Sequence, residues 1–118
     1  MAVKHVDLDD CYVPKSDDKE IVLDVEIGDG QDGSYAIFLG TDFIVANAPA
    51  KLGKKADMMG KSTIVSATVV DVLQETNWTS MTVSVTEGSG KPTKFGPYKA
   101  QAETHLDTVI YTLKLVHQ

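Results

Sequence analysis

The sequence predicts an all-β fold: a single antiparallel β-sandwich, jelly-roll or immunoglobulin-like, or a small β-barrel, of about seven to eight strands. Three observations carry this reading. Valine, isoleucine and threonine supply 31 of the 118 residues, and β-branched side chains suit a pleated, half-buried surface better than a helix. Apolar and polar residues alternate in several short runs, and those runs are separated by clusters of Gly, Asp, Asn and Pro. The one helical spacing, Tyr98, Ala102 and Leu106 four apart, competes with a strand reading of the same stretch, Tyr98, Ala100, Ala102, Thr104 and Leu106 on one face, and the strand is preferred.

The elements follow in order. Val3 to Tyr12 reads as an extended N-terminal piece, with His5, Asp7, Asp9 and Cys11 on one side and Val6 and Leu8 on the other. Ile21, Leu23, Val25 and Ile27 then alternate with Val22, Asp24 and Glu26, giving a strand with one core face. The turn formers from Gly28 to Gly33 join it to a strand from Tyr35 to Leu39, and the pair reads as a hairpin. Gly40, Thr41 and Asp42 precede a short strand from Phe43 to Ala46, and the chain from Ala48 to Lys61 is a loop with room for one helical turn. Ser62 to Leu73 is the longest apolar signal and is expected to be a strand buried on both faces. After a turn at Gln74 to Asn77, Met81, Val83 and Val85 face away from Thr82, Ser84 and Thr86, which reads as a second hairpin. A loop from Glu87 to Pro92, a strand from Tyr98 to Leu106 and a closing strand around Val109 to Val116 complete the pattern.

The length predicts one domain, residues 1 to 118, with an acidic segment over residues 1 to 32. That segment holds ten acids against Lys4, Lys15 and Lys19, while the rest of the chain has eight lysines and seven acids. The net charge of −6 therefore comes from the first quarter. The chain has no arginine, and without a planar guanidinium or a basic face the sequence argues against nucleic-acid binding. One cysteine, Cys11, cannot close an intramolecular disulfide. The N-terminus lacks the apolar run of a signal peptide, and no stretch is long and apolar enough for a membrane helix. A cytoplasmic location without membrane insertion is the default expectation, with a secreted or extracellular one left open.

Candidate chemistry is sparse. Gly60-Lys61-Ser62-Thr63 resembles the tail of a phosphate-binding loop, but Lys55 stands where the first glycine belongs and a β-branched run follows instead of a helix. No cofactor is expected; a divalent cation such as calcium is the one candidate. Asp29 and Asp32 in the Gly-rich turn could supply oxygen ligands, although they are three apart rather than alternate and no later glutamate completes a calcium loop. The stripe of His5, Asp7 and Asp9 is the second cation candidate, although charges guarding an edge strand are the preferred explanation of it. His5, His105 and His117 lie in no catalytic signature, are expected at the surface, and leave no catalytic residue to name.

Trp78 is the leading ligand-binding candidate. Beside the turn before its strand, its indole either stacks on a sugar or a partner or folds back over one end of the core. Phe95 and Tyr98, flanking Gly96-Pro97, are the second aromatic candidate or else plugs of the core. The expected function is a non-enzymatic binding or assembly module acting through exposed edges and loops, on a protein partner or by self-association as a homo-oligomer. The alternative is a small β-barrel holding an apolar or carbohydrate-like ligand, with or without hydrolase or isomerase activity.

Overall fold

Inward-facing aliphatic side chains at every second position build two sheets, and the space between them is filled. The computed structural model describes residues 3–29, 31–72, 76–104 and 106–117. Its strands are β1 (Val3–Cys11), β2 (Ile21–Gly28), β3 (Asp32–Leu39), β4 (Asp42–Ala46), β5 (Ala50–Gly53), β6 (Ser62–Val70), β7 (Trp78–Glu87), β8 (Thr93–Gln101) and β9 (Thr108–Val116), with a single-turn helix α1 (Lys55–Met58) between β5 and β6. One sheet has the order β1-β9-β6-β3-β4 and the other β5-β2-β7-β8. The architecture is a β-sandwich with separate edges, not a closed barrel.

The core is written by the alternation. Val65, Ala67 and Val69 of β6 and Val109, Tyr111, Leu113 and Leu115 of β9 face Leu23 and Val25 of β2 and Met81, Val83 and Val85 of β7, nearly all fully buried. Burying a side chain of this kind stabilises a fold by about 1.5–3 kcal/mol.

Several expectations need correction. The strand from Ser62 ends at Val70, and its residues alternate between buried and half-buried, so only one face enters the core. Its expected continuation at Leu73 and the turn residues Gln74 and Glu75 lie outside the described residues, as do Gly30 and His105. The two hairpins read at Gly28 to Gly33 and Gln74 to Asn77 do not form: β2 and β3 lie in different sheets, as do β6 and β7. The hairpins that do form are β3–β4 and β7–β8. The strand expected from Tyr98 to Leu106 starts earlier, at Thr93, and stops at Gln101. Short β5 falls in the stretch read as a loop, where α1 supplies the one helical turn.

β1 pairs with β9 in parallel through nine positions, from Val3 opposite Thr108 to Cys11 opposite Val116. The chain leaves this ladder at Tyr12, whose N–H donates to the Val116 carbonyl at 2.8 Å. Two side chains fix that exit. The Tyr12 hydroxyl donates to the Glu87 carboxylate, which also accepts from the Lys15 and Ser16 amides at about 3 Å. Burial pushes the Glu87 carboxyl up, but the Tyr12 hydrogen bond and the two amides outweigh it and leave it below its ordinary value. The second is His117, fully buried, with Nδ1 2.7 Å from the Tyr12 carbonyl and Nε2 2.6 Å from Thr63 Oγ1. A carbonyl only accepts, so Nδ1 carries the proton and Nε2 accepts from the threonine hydroxyl. The expected surface position for His117 is thus wrong: its neutral ring joins the start of β6, the end of β9 and the exit of β1.

Burial lowers the His117 pKa below 6.5. The unfolded chain therefore binds this proton more readily than the folded one. Its contribution to stability is complete above pH 6.5 and is lost as pH falls from there toward the lower folded-state value, with a slope approaching about 1.4 kcal/mol per pH unit. Urea unfolding at steps between pH 7.5 and 5 is expected to show this decline, and His117→Gln to flatten it.

Candidate functional site

Six of the connections between strands cross from one sheet to the other; only β3–β4 and β7–β8 stay within a sheet. Three crossings, β2–β3, β6–β7 and β8–β9, meet at the same end of the sandwich. Backbone groups there leave the ladders, and buried polar side chains satisfy them.

Gln31 is the hub. Its Nε2 donates to Asp71 Oδ1 at 3.0 Å and to the Trp78 carbonyl at 2.9 Å, and its Oε1 accepts from the Val72 amide at 2.8 Å. Asp71 is fully buried; its amide donates to the Asp107 carbonyl at 3.0 Å, and its own carbonyl accepts from the Leu106 amide at 2.8 Å. Asp107 Oδ2 caps its loop by accepting from the Thr104 amide and hydroxyl at 3.0 and 2.8 Å. Among the described residues, Asp71 Oδ2 has no hydrogen-bond partner. The three loops form one polar-laced unit.

That unit presents apolar side chains to solvent. Val72, Trp78 and Leu106 are 39%, 47% and 48% exposed. Leu106 adopts φ 71°, a left-handed conformation that costs a side-chain-bearing residue about 1–2 kcal/mol. An exposed leucine held in a strained conformation by hydrogen-bonded loops is a surface feature with no role in the core. Beside it a cavity of about 130 Å³ is lined by Val3, Lys4, Ala102, Glu103, Asp107 and Thr108. It is smaller than the cavities of about 300 Å³ and above that take small-molecule ligands, and suits a single inserted side chain.

Trp78 also starts the outward row of β7, in phase with Ser80, Thr82 and Ser84. Gln101 stands opposite it on β8, and Lys99, opposite Ser80, lies 3.9 Å from the Asp29 carboxylate. The aromatic candidates do not converge. Phe95 turns into the core, edge-on to Tyr12 at a ring separation of 6.3 Å. Tyr98 is half-buried, with its hydroxyl 3.3 Å from Asp10 Oδ2. An extra residue at Gly96-Pro97 shifts the β7–β8 register, so both rings face inward although they are three positions apart. Sequence reading missed Gln31, Val72 and Leu106; the one signal for the exposed indole was that Trp78 shares the phase of Ser80 and Thr82, not of Met81 and Val83.

The cation candidates are dispersed. His5, Asp7 and Asp9 lie along the outward side of edge strand β1, Asp29 pairs with Lys99, and Asp32 opens β3. Among the described residues no group of three or more His, Cys, Asp or Glu side chains comes together as a metal site. His117 and Thr63 make a base-and-hydroxyl contact, but both are fully buried, so their role is to join strands.

No protein-family model matches the chain, and no curated protein or solved structure matches it.

Two outcomes follow from this geometry. Gln31→Leu removes the partner of Asp71 Oδ1, the Val72 amide and the Trp78 carbonyl, and is expected to destabilise the fold by about 2–4 kcal/mol in urea unfolding. Leu106→Gly relieves the left-handed backbone at an exposed position, and a gain of up to about 1 kcal/mol is expected in the same assay.

Proposed function

We propose that this protein is a non-enzymatic binding module that docks on a protein surface, another copy of itself included, through the loop end carrying Val72, Trp78 and Leu106. The observation that carries the reading is the strained, exposed Leu106 and the exposed indole on loops joined through the buried Gln31 and Asp71. Rigid apolar anchors of this kind bind with little ordering cost.

The sheet edges support loops over edges as the binding element. β1 carries Asp7, Asp9 and Asp10, β4 and β5 span five and four residues, and β8 holds Pro97 between Lys94 and Lys99. Short length, charge and proline each discourage strand addition. No helix among the described residues is long and apolar enough to cross a membrane.

The test is sedimentation velocity over a wide concentration range. The wild-type chain is expected to associate reversibly, and Trp78→Ser with Leu106→Ser to remain monomeric with an unchanged circular dichroism spectrum. A second reading rests on the Asp29–Lys99 pair and Gln101 beside the indole: a sugar ring stacking on Trp78 with its hydroxyls bonded to these groups. Quenching or a blue shift of the emission of this single tryptophan by soluble oligosaccharides, with no self-association, would favour it.

A further inference from the structure

The opposite end of the sandwich holds a different surface. Between the 12–20 segment and the β7–β8 hairpin lies a cleft of about 330 Å³, lined by Tyr12, Lys15, Ser16, Lys19, Glu87, Gly90, Lys91 and Thr93. We propose that this cleft is a binding site for a small dianionic oxyanion of the phosphate monoester type.

Hydrogen-bonding capacity decides the ligand class. Glu87 is the one carboxylate in the lining, and its oxygens already accept from the Tyr12 hydroxyl and from the Lys15 and Ser16 amides. The side-chain groups left for a ligand are the ammonium groups of Lys15, Lys19 and Lys91 and the hydroxyls of Ser16 and Thr93. Donors dominate, and within the lining three lysines against one glutamate match a ligand of charge −2, while the exposed Asp17, Asp18 and Glu20 of the same segment lie outside it. The volume falls at the small end of the ligand-site range.

The geometry of lysine favours phosphate over carboxylate. An ammonium is a point charge with donors in three directions, suited to the oxygens of a tetrahedral group, whereas planar carboxylates are best held by the guanidinium fork that this chain lacks. The cations are also placed. A Cβ added at Gly88 (φ 58°) would meet Lys19 Cδ at 3.1 Å, so the Lys19 stem lies along the hairpin turn, and Lys19 is part of the cleft wall. Lys15 and Lys19 come from the acidic quarter of the sequence, where the excess of acids hides them.

The experiment is a titration of the ¹⁵N-labelled full chain with phenyl phosphate, followed through amide shifts, with inorganic phosphate and succinate as parallel probes. Saturating shifts at Lys15, Ser16, Gly90 and Lys91 with phenyl phosphate are expected. Lys15→Gln with Lys91→Gln should weaken binding about tenfold or more, and Lys114→Gln, an exposed lysine on β9, should leave it unchanged. Linear, non-saturating shifts, undiminished binding in the double variant, or succinate binding as tightly as phenyl phosphate would each overturn the proposal. Inorganic phosphate binding equally well would support the site and show that the headgroup alone is recognised.

Discussion

The constraint on which the rest of the structure depends is the repeated passage of the chain from one sheet to the other. Each crossing takes the backbone out of a hydrogen-bonded ladder at the end of a sandwich whose interior is aliphatic. The amides and carbonyls released there need partners, since a buried unpaired group costs about 1–3 kcal/mol. The protein meets this need with a few polar side chains at each end: Gln31, Asp71 and Asp107 at one, Glu87, Thr63 and His117 at the other. Both surfaces proposed to bind lie outside these fastened ends. The polar residues that close the fold are thus also hydrogen-bonded to described residues of the loops proposed to meet a partner.

The two ends differ in chemistry because the fastening residues differ in what they leave exposed. At the Trp78 end the loops spend their polar groups inward and turn Val72, Trp78 and Leu106 outward. At the Glu87 end the one carboxylate of the cleft lining is consumed by hydroxyl and amide donors, so the charged groups left in that lining are lysines, with the exposed Asp17, Asp18 and Glu20 of the same segment outside it. Val72, Trp78 and Leu106 face solvent at one end, and Lys15, Lys19 and Lys91 line a cleft at the other, on a chain whose net charge is negative.

The sequence made the strands legible and the sheets much less so. Ile21, Leu23 and Val25 announce a core face because alternation is a local property of a strand. Gly28 to Gly33 announces a chain reversal equally well, yet the same turn formers serve a tight hairpin or a crossing, and the partner of β3 is chosen by packing over long range. The phase of Trp78 was readable from its neighbours, whereas the phases of Phe95 and Tyr98 were not, because the extra residue at Gly96-Pro97 turns both inward. His117 was unreadable for another reason: its burial depends on Tyr12 and Thr63, which are 105 and 54 positions away.

The parallel ladder of β1 and β9 has a mechanical consequence. Val3 opens β1 beside Thr108, and Val116 closes β9 beside Cys11, so the start of β1 and the end of β9 lie at opposite ends of a ladder of nine paired positions. Tension between those ends slides one strand along the other, and every hydrogen bond of the ladder resists together. An antiparallel hairpin pulled from its open end unzips one bond at a time. Tension between the start of β1 and the end of β9 would load the ladder in shear, and the clasp at Tyr12, Glu87 and His117 stands just past its Cys11–Val116 end.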